Sequence, residues 1–204
     1  MDYKTLSHFS IVSTSDQTKY QWYPYIAGNV LSAVLPEQAA VWSYPVDSLG
    51  EPNAVFTPDF QWVNEHVSKE QVIMNMINSF LGRMHLASHL ELLNDEKKAL
   101  VKEGVDYFNQ LSEVKTRALP FLPNGFCNFG DAFVVSGLRD KDRLYLAVWN
   151  LGEVGEKKID LGKCIVDARI AYPKEDMLQH SIDGSQLVVS FTEAYQARFF
   201  EINL

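Results

Sequence analysis

Apolar and polar residues follow two different patterns along this chain, and the change falls near residue 119. Before it, two short apolar runs, His8–Ser13 and Ala39–Tyr44, are predicted to be buried strands, and the first is rich in β-branched and aromatic residues. Arg83–Ser88 is a candidate for a third short strand. A helical run follows each of them, at Tyr25–Leu35, Ser68–Leu81 and Asp95 to about Val114. Strictly alternating strands and helices predict a parallel sheet with right-handed crossovers. It would be an open doubly wound sheet or the last units of a (β/α)₈ barrel.

The helices have recognisable ends. Ser68 and Gln71 have the spacing of a capping box, and Gly82 is a natural stop for the helix that they begin. Asn94 is a candidate cap for the third helix. The segment Val46–Val67 is rich in Pro, Asn and Asp, so we predict a long loop between the second strand and the second helix.

After residue 119 the pattern is that of short alternating strands joined by turn residues. Six strand candidates are Ala132–Leu138, Arg143–Trp149, Lys157–Leu161, Cys164–Ala171, Gln186–Phe191 and Ala197–Ile202. This pattern predicts a C-terminal antiparallel β-sandwich packed on the first unit. The extended, proline-containing connector Leu119–Phe126 separates the two, which gives a partial barrel segment over residues 1–118 and a sandwich domain over 119–204.

Composition and charge narrow the class of protein. Hydrophobic residues make up 47% and charged residues 22% of 204 residues, which is typical of a globular chain. The net charge of −8 and the lack of a basic stripe argue against nucleic-acid or anionic-membrane partners. With no apolar run of about 18 residues and no apolar leader, we expect a cytoplasmic chain. Cys127 and Cys164 could pair, but in a reducing compartment two unclustered cysteines are more often buried thiols. Their spacing matches no metal or redox motif, and we expect no metal and no cofactor.

A candidate catalytic carboxylate follows the first strand. Asp16 lies three residues past Ser13, where the carboxyl end of a parallel strand opens onto a crevice. A carboxyl group there can exchange a proton with a substrate, and Trp22, Tyr23 and Tyr25 supply aromatic surface nearby. The alternative is that Asp16 caps the following helix, and the spacing alone favours that role.

Several motifs together resemble those of a known family. They are Ser13-Thr14-Ser15-Asp16-Gln17-Thr18, Tyr23-Pro24, Trp42-Ser43-Tyr44-Pro45, Gly82-Arg83-Met84-His85-Leu86, Leu119-Pro120-Phe121 and Leu146-Ala147-Val148-Trp149. In this order they resemble the end of the catalytic barrel and the terminal β-sandwich of glycoside hydrolase family 36, the retaining α-galactosidases and their relatives. The resemblance extends through most of the chain.

The resemblance implies that Asp16 is the general acid/base of an α-galactosidase-like hydrolase. A retaining glycosidase also needs a carboxylate nucleophile, which the family carries on an earlier barrel strand in a Lys-x-Asp motif. We interpret the chain as lacking that motif, and three strand–helix units cannot close an eight-stranded barrel. We therefore expect the C-terminal part of a longer enzyme, or a truncated relative, that is inactive by itself. Its partners would be an α-galactoside and either a missing barrel segment or further copies of the chain.

Other candidate residues have weaker support. Trp42 and Tyr44 would line a sugar site or pack in the core. The acids of the long loop, Asp47, Glu51, Asp59 and Glu65, are expected to face solvent, and His85 and His89 to be structural. The alternative function is a non-catalytic module that binds carbohydrate or stabilises a partner domain.

Overall fold

The computed structural model describes residues 12–13, 19–46, 48–49, 51–176 and 178–204. Within these residues, three α-helices, one short 3₁₀-helix and thirteen strands form a mixed α/β structure in which strands predominate. The helices are α1 (Tyr23–Val30), α2 (Lys69–Phe80) and α3 (Asp95–Lys115), and the 3₁₀-helix spans Leu90–Leu92. None of these helices combines the length and the apolar character that a bilayer crossing requires.

The three strands that the sequence predicts in the first half form one parallel sheet. Its strands are β1 (Val12–Ser13), β2 (Ala39–Ser43) and β5 (Arg83–Leu86), in the order β1-β2-β5. Parallel pairing of these strands is what the alternating sequence pattern predicts. A closed barrel is not seen among the described residues.

Helix α2 begins and ends where the sequence indicates. The Ser68 hydroxyl accepts a hydrogen bond from the Gln71 amide at 3.1 Å, so Ser68 is the N-cap. After Leu81 the chain passes β2 so closely that a Cβ on Gly82 would lie 2.4 Å from the Ala39 carbonyl oxygen. Only glycine fits at that point. In the same way the Asn94 side chain caps α3 through the Lys97 amide, at 3.0 Å.

The second half contains a five-stranded antiparallel sheet, here called the central sheet. Its strands are β6 (Leu119–Phe121), β7 (Phe133–Asp140), β8 (Arg143–Asn150), β10 (Asp167–Tyr172) and β13 (Gln196–Asn203), in the order β10-β13-β8-β7-β6. A three-stranded antiparallel sheet consists of β9 (Gly155–Asp160), β11 (His180–Asp183) and β12 (Gln186–Phe191), in the order β11-β12-β9.

Both faces of the central sheet are buried, as β8 illustrates. Leu144, Leu146 and Val148 belong to an apolar cluster that the central sheet shares with the three-stranded sheet. The intervening residues of β8, Tyr145, Ala147 and Trp149, belong to a second cluster that includes α2. This second cluster contains residues from both sides of position 119, and the boundary between residues 118 and 119 stays a prediction.

Four details of the fold differ from the sequence-based expectations. The predicted loop Val46–Val67 contains a small hairpin of β3 (Val55–Phe56) and β4 (Trp62–Val63). The connector begins with a paired strand, β6, and β11 was not predicted because its residues are mostly exposed and give no apolar signal. Cys127 is half-buried and Cys164 is exposed, so the expectation of two buried thiols is wrong for Cys164.

Candidate functional site

The carboxyl ends of the parallel strands carry a group of stacked rings. The rings of Trp42 and Tyr44 are stacked nearly parallel, with centroids 5.7 Å apart and planes inclined by 10°. The His85 ring, on the neighbouring strand β5, lies 5.0 Å from the Trp42 ring. We call these three residues the aromatic edge.

Strand alternation determines which side of the sheet the aromatic edge occupies. Ser43 faces α2, since its hydroxyl lies 3.5 Å from the Met76 sulfur. Adjacent residues of a strand point to opposite faces, so Trp42 points away from the helix and remains half-buried. An indole with one face against Tyr44 and part of its surface accessible can stack on a flat apolar ligand.

Tyr44 has a supporting position rather than an accessible one. Its side chain is buried, and the Tyr23 ring lies 6.3 Å away on α1. Its backbone amide donates to Asn75 Oδ1 of α2 at 3.4 Å. Of the two residues proposed to line a site, Trp42 is therefore the one that a ligand can reach.

Asp16 lies outside the described residues. The backbone of β1, which ends three residues before it, pairs in parallel with β2, and Ser13 is opposite Ala40. The structure thus describes the strand from which the Asp16 loop departs, but not the loop itself.

The acids of the β2–α2 connection have different environments. Asp47 lies outside the described residues, while Glu51 accepts a long hydrogen bond of 3.4 Å from the Gln21 side chain. Glu65 is exposed and lies 3.3 Å from His66. Asp59 is also exposed but is not simply solvated, because its Oδ1 lies 3.1 Å from Nε2 of His89.

His89 bridges two carboxylates beside the aromatic edge. Its Nδ1 lies 2.7 Å from Glu91 Oε1 and its Nε2 3.1 Å from Asp59 Oδ1. Hydrogen bonds to Glu91 and then to Asp59 raise the pKa of His89, while bonds from Thr57 and then His89 lower the pKa of Asp59. Both ring nitrogens are engaged, so His89 ties the β3–β4 connection to the segment after β5. Among the described residues, no group of three or more His, Cys, Asp or Glu side chains could hold a metal ion.

The Lys-x-Asp spacing does occur twice in the second half of the chain. Lys158-Ile159-Asp160 lies on β9, at the margin of the three-stranded sheet. In Lys174-Glu175-Asp176, the aspartate lies 2.5 Å from Nε of the buried Arg198. Neither aspartate follows a parallel strand, so neither has the position that a barrel nucleophile occupies.

A cavity of about 960 Å³ lies away from the aromatic edge, between α2, α3 and the loop after β10. Its buried charge is already neutralised. Arg198 is bidentate to Glu70, at 2.6 and 2.7 Å, and is also paired with Asp176. We interpret these contacts as structural.

The β3–β4 hairpin carries a group of aromatic rings that was not predicted from the sequence. Phe56 lies 5.0 Å from the ring of Trp62 and 6.0 Å from that of Phe60. Three aromatic residues in seven positions of a polar segment were the available signal. Apolar rings on a loop that follows a parallel strand are candidate ligand contacts.

No family model matches the sequence, and no curated protein matches it either. Solved structures do match in fold. The galactosidase domain of the α-galactosidase-sucrose kinase AgaSK has a TM-score of 0.63 at 12% identity over 93% of this chain. A GH27 β-L-arabinopyranosidase from Geobacillus stearothermophilus, in complex with arabinose, has a TM-score of 0.63 at 13% identity over 100% of this chain.

This chain spans only 25% of the AgaSK chain and 48% of the arabinopyranosidase chain. At these identities the likeness concerns the fold alone. The chain therefore has a fold similar to part of these glycoside hydrolases, the GH27 enzyme among them.

Proposed function

We propose that this chain is the C-terminal part of a retaining α-galactoside hydrolase of glycoside hydrolase family 36, and that Asp16 is its general acid/base. The observation that carries the proposal is the likeness in fold, over 93% of this chain, to the galactosidase domain of AgaSK. The order of the sequence motifs supports the same family. The units over residues 1–118 and 119–204 would then be the end of the barrel and the terminal β-sandwich.

In this proposal Asp16 acts twice. It first donates its proton to the glycosidic oxygen. As the bond between this oxygen and the anomeric carbon breaks, a carboxylate nucleophile attacks the anomeric carbon and forms the glycosyl-enzyme intermediate. It then removes a proton from the water that displaces the nucleophile. The nucleophile, about 5 to 5.5 Å from Asp16, would come from barrel strands that precede this segment.

The aromatic edge would bind the sugar. Trp42 would stack its accessible indole surface on the apolar face of a pyranose ring, and Tyr44 would fix the orientation of the indole. Support for this assignment comes from the 5.7 Å stacking of the two rings at the carboxyl end of a parallel strand.

A second candidate function is a non-catalytic carbohydrate-binding or structural module. The observation that favours it is the apolar cluster shared by the two antiparallel sheets, which gives this half a core of its own. Asp16 would then have no catalytic role, and its substitution would change stability rather than chemistry. The predicted role as cap of the following helix is wrong for α1, because α1 begins at Tyr23 and its N-cap is Trp22.

The test expresses this chain together with any in-frame coding sequence found upstream of Met1, because the proposal places the nucleophile there. With melibiose, which has a poor leaving group, Asp16→Asn should lower kcat/KM by about 10²- to 10⁴-fold. The loss should be much smaller with a nitrophenyl α-galactoside, because that leaving group needs little protonation. Added azide should restore turnover and yield a galactosyl azide, since azide attacks the intermediate without a general base.

Asp59→Asn is the matched control, because Asp59 is a carboxylate of the β2–α2 connection that is already paired with His89. We expect the kcat/KM of Asp59→Asn to stay within about threefold of the parent value. This change is small beside the loss expected when an acid/base residue is removed. An Asp16→Asn variant that loses both substrates equally and is not rescued by azide would contradict the acid/base role. Clear hydrolysis by residues 1–204 alone would contradict the proposed upstream nucleophile.

A further inference from the structure

A further group of aromatic rings surrounds a cleft between α1 and the chain that precedes β7. The cleft has a volume of about 400 Å³, within the range typical of small-molecule sites. We call it the aromatic cleft. The residues that carry the argument are Gln21, Trp22, Tyr25, Phe129, Asp131 and Tyr195.

Its rings are exposed but hold one another in place. Phe129 is 74% exposed and Trp22 is 43% exposed. The Phe129 ring lies 5.6 Å from that of Trp22, edge to face, and 5.2 Å from that of Tyr25. Such contacts restrict ring rotation, so an apolar surface is preorganised in contact with water.

The loop that carries Phe129 is anchored to α1. Asn29 donates from its side-chain amide to the Cys127 carbonyl at 2.7 Å and accepts from the Cys127 amide at 3.0 Å. The Tyr25 hydroxyl donates to the Asp131 carbonyl at 3.0 Å. These bonds hold the loop on both sides of Phe129, which makes the cleft a built feature of the fold.

Polar groups line the same space. Asp131 Oδ2 accepts from the Asn128 amide at 2.7 Å, which fixes the carboxylate and leaves its other oxygen for a ligand. The Gln21 side chain makes a long hydrogen bond of 3.4 Å with Glu51. Tyr195 has a φ of 56°, a conformation that costs a non-glycine residue energy and is often retained at ligand sites.

We propose that the aromatic cleft is a carbohydrate-binding site, in which a pyranose ring stacks on Phe129 and Trp22 and its hydroxyls bond to Asp131, Gln21 and Tyr195. A neutral pyranose ring fits this lining, because the adjacent flat rings can stack on it and the polar groups, of which only Asp131 is charged, can bond to its hydroxyls. A phosphate or another anion would meet the Asp131 carboxylate and no cation among the lining residues.

The ligand class follows from the lining of the cleft, and only the choice of α-galactosides as probes rests on the proposed function. Gln21 contacts Glu51 of the connection after β2, so the cleft lies beside the segment that leads away from the aromatic edge. The two ring systems share no residue, and variants can therefore separate them.

The experiment measures binding of melibiose, raffinose and maltotriose to the full chain by NMR titration. Phe129→Ala and Trp22→Ala should each raise the Kd for at least one of these sugars by about tenfold or more. Phe126→Ala is the matched control, because Phe126 is 68% exposed on the same loop but does not line the cleft. It should leave Kd within about twofold, a change well under 1 kcal/mol. Thermal unfolding of each variant establishes that it is folded.

Three results would overturn the proposal. One is that none of the sugars binds at millimolar concentration. Another is that binding is insensitive to Phe129→Ala and Trp22→Ala but is lost in Trp42→Phe, which would locate the sugar at the aromatic edge and leave the proposed function intact. The third is that the chain self-associates in sedimentation experiments and Phe129→Ala makes it monomeric, because the occupant would then be a second copy.

Discussion

The central sheet and the parallel sheet both contact α2, but they are covered to different extents. In the central sheet, β8 is buried from Leu144 to Asn150, with apolar clusters on both faces. In the parallel sheet, one face of β2 packs on α2, while the other face of the sheet presents Trp42 of β2 and His85 of β5, both half-buried. The comparison indicates that the central sheet and its helix provide stability. The parallel sheet leaves rings accessible where its strands end.

Helix α2 shows how the two regions are joined. Residues 71–80 are buried all around the helix, including four polar ones. Asn78 accepts from the indole N–H of Trp149 at 2.9 Å, and its side-chain amide donates to the Tyr20 carbonyl at 3.3 Å. One buried amide thus links the central sheet to the chain that leads into α1, and both of its polar atoms are satisfied.

The sharpest way to disrupt this arrangement is to remove the guanidinium that joins α2 to the central sheet. Arg198→Ala should lower the free energy of unfolding by about 3 to 5 kcal/mol, because Glu70 and the buried Asp176 lose their partner. Chemical denaturation measures the change. Arg169→Ala is the control, since Arg169 is exposed and its contact with Glu201 should be worth less than about 1 kcal/mol. Equal losses in the two variants would argue against a special role for the buried ion pairs.

A second experiment concerns the helical layer itself. Lys115 is buried, donates to the Phe80 and Gly82 carbonyls at 3.2 and 2.9 Å, and lies over the Phe108 ring. Burial lowers the pKa of Lys115 to about 7. Between that pH and the ordinary lysine value near 10.4, the unfolded chain binds the proton that the folded chain has lost. The free energy of unfolding should therefore rise with pH in this window, by up to about 1.4 kcal/mol per pH unit.

Denaturation at several pH values between 7 and 10 tests this expectation. Lys115→Met should flatten the dependence, whereas Lys102→Met, at an exposed position of the same helix, should leave it unchanged. A slope that persists undiminished in Lys115→Met would assign the pH dependence to other groups.

The smallest effect is expected at the margin of the parallel region. Phe60 is 76% exposed and has a φ of 65°, which asparagine adopts more readily than phenylalanine. The free energy of unfolding of Phe60→Asn should therefore equal that of the parent or exceed it by up to about 1 kcal/mol. Phe56→Asn, a neighbour that lacks the positive φ, should show no gain. A clear loss in Phe60→Asn would mean that the ring contributes more to the hairpin than its exposure suggests.

The sequence predicted much of the fold because the relevant signals are local. Ser68 and Asn94 cap their helices through backbone amides three residues away, and the strands β7, β8, β12 and β13 lie within a few residues of their predicted bounds. Strands β3 and β11 were missed because their residues are mostly exposed. Strand β4 was missed because its two residues, Trp62 and Val63, are too few to show a period.

The candidate sites were less predictable. Trp42 and Tyr44 were identified from their position after a strand, but the burial of Tyr44 and the approach of His85 depend on how β5 pairs with β2. The aromatic cleft combines residues more than a hundred positions apart, such as Trp22 and Phe129. The acid/base role of Asp16 stays a prediction.

The sequence by itself determined the strand–helix alternation, the helix caps and the change to antiparallel strands, because hydrophobic period and capping act over a few residues. Only the tertiary structure decided that α2 is buried on all sides, that both faces of the central sheet are covered, and which aromatic rings remain accessible. These properties depend on contacts between segments distant in sequence, where burial of a side chain is decided by whichever other segment packs against it.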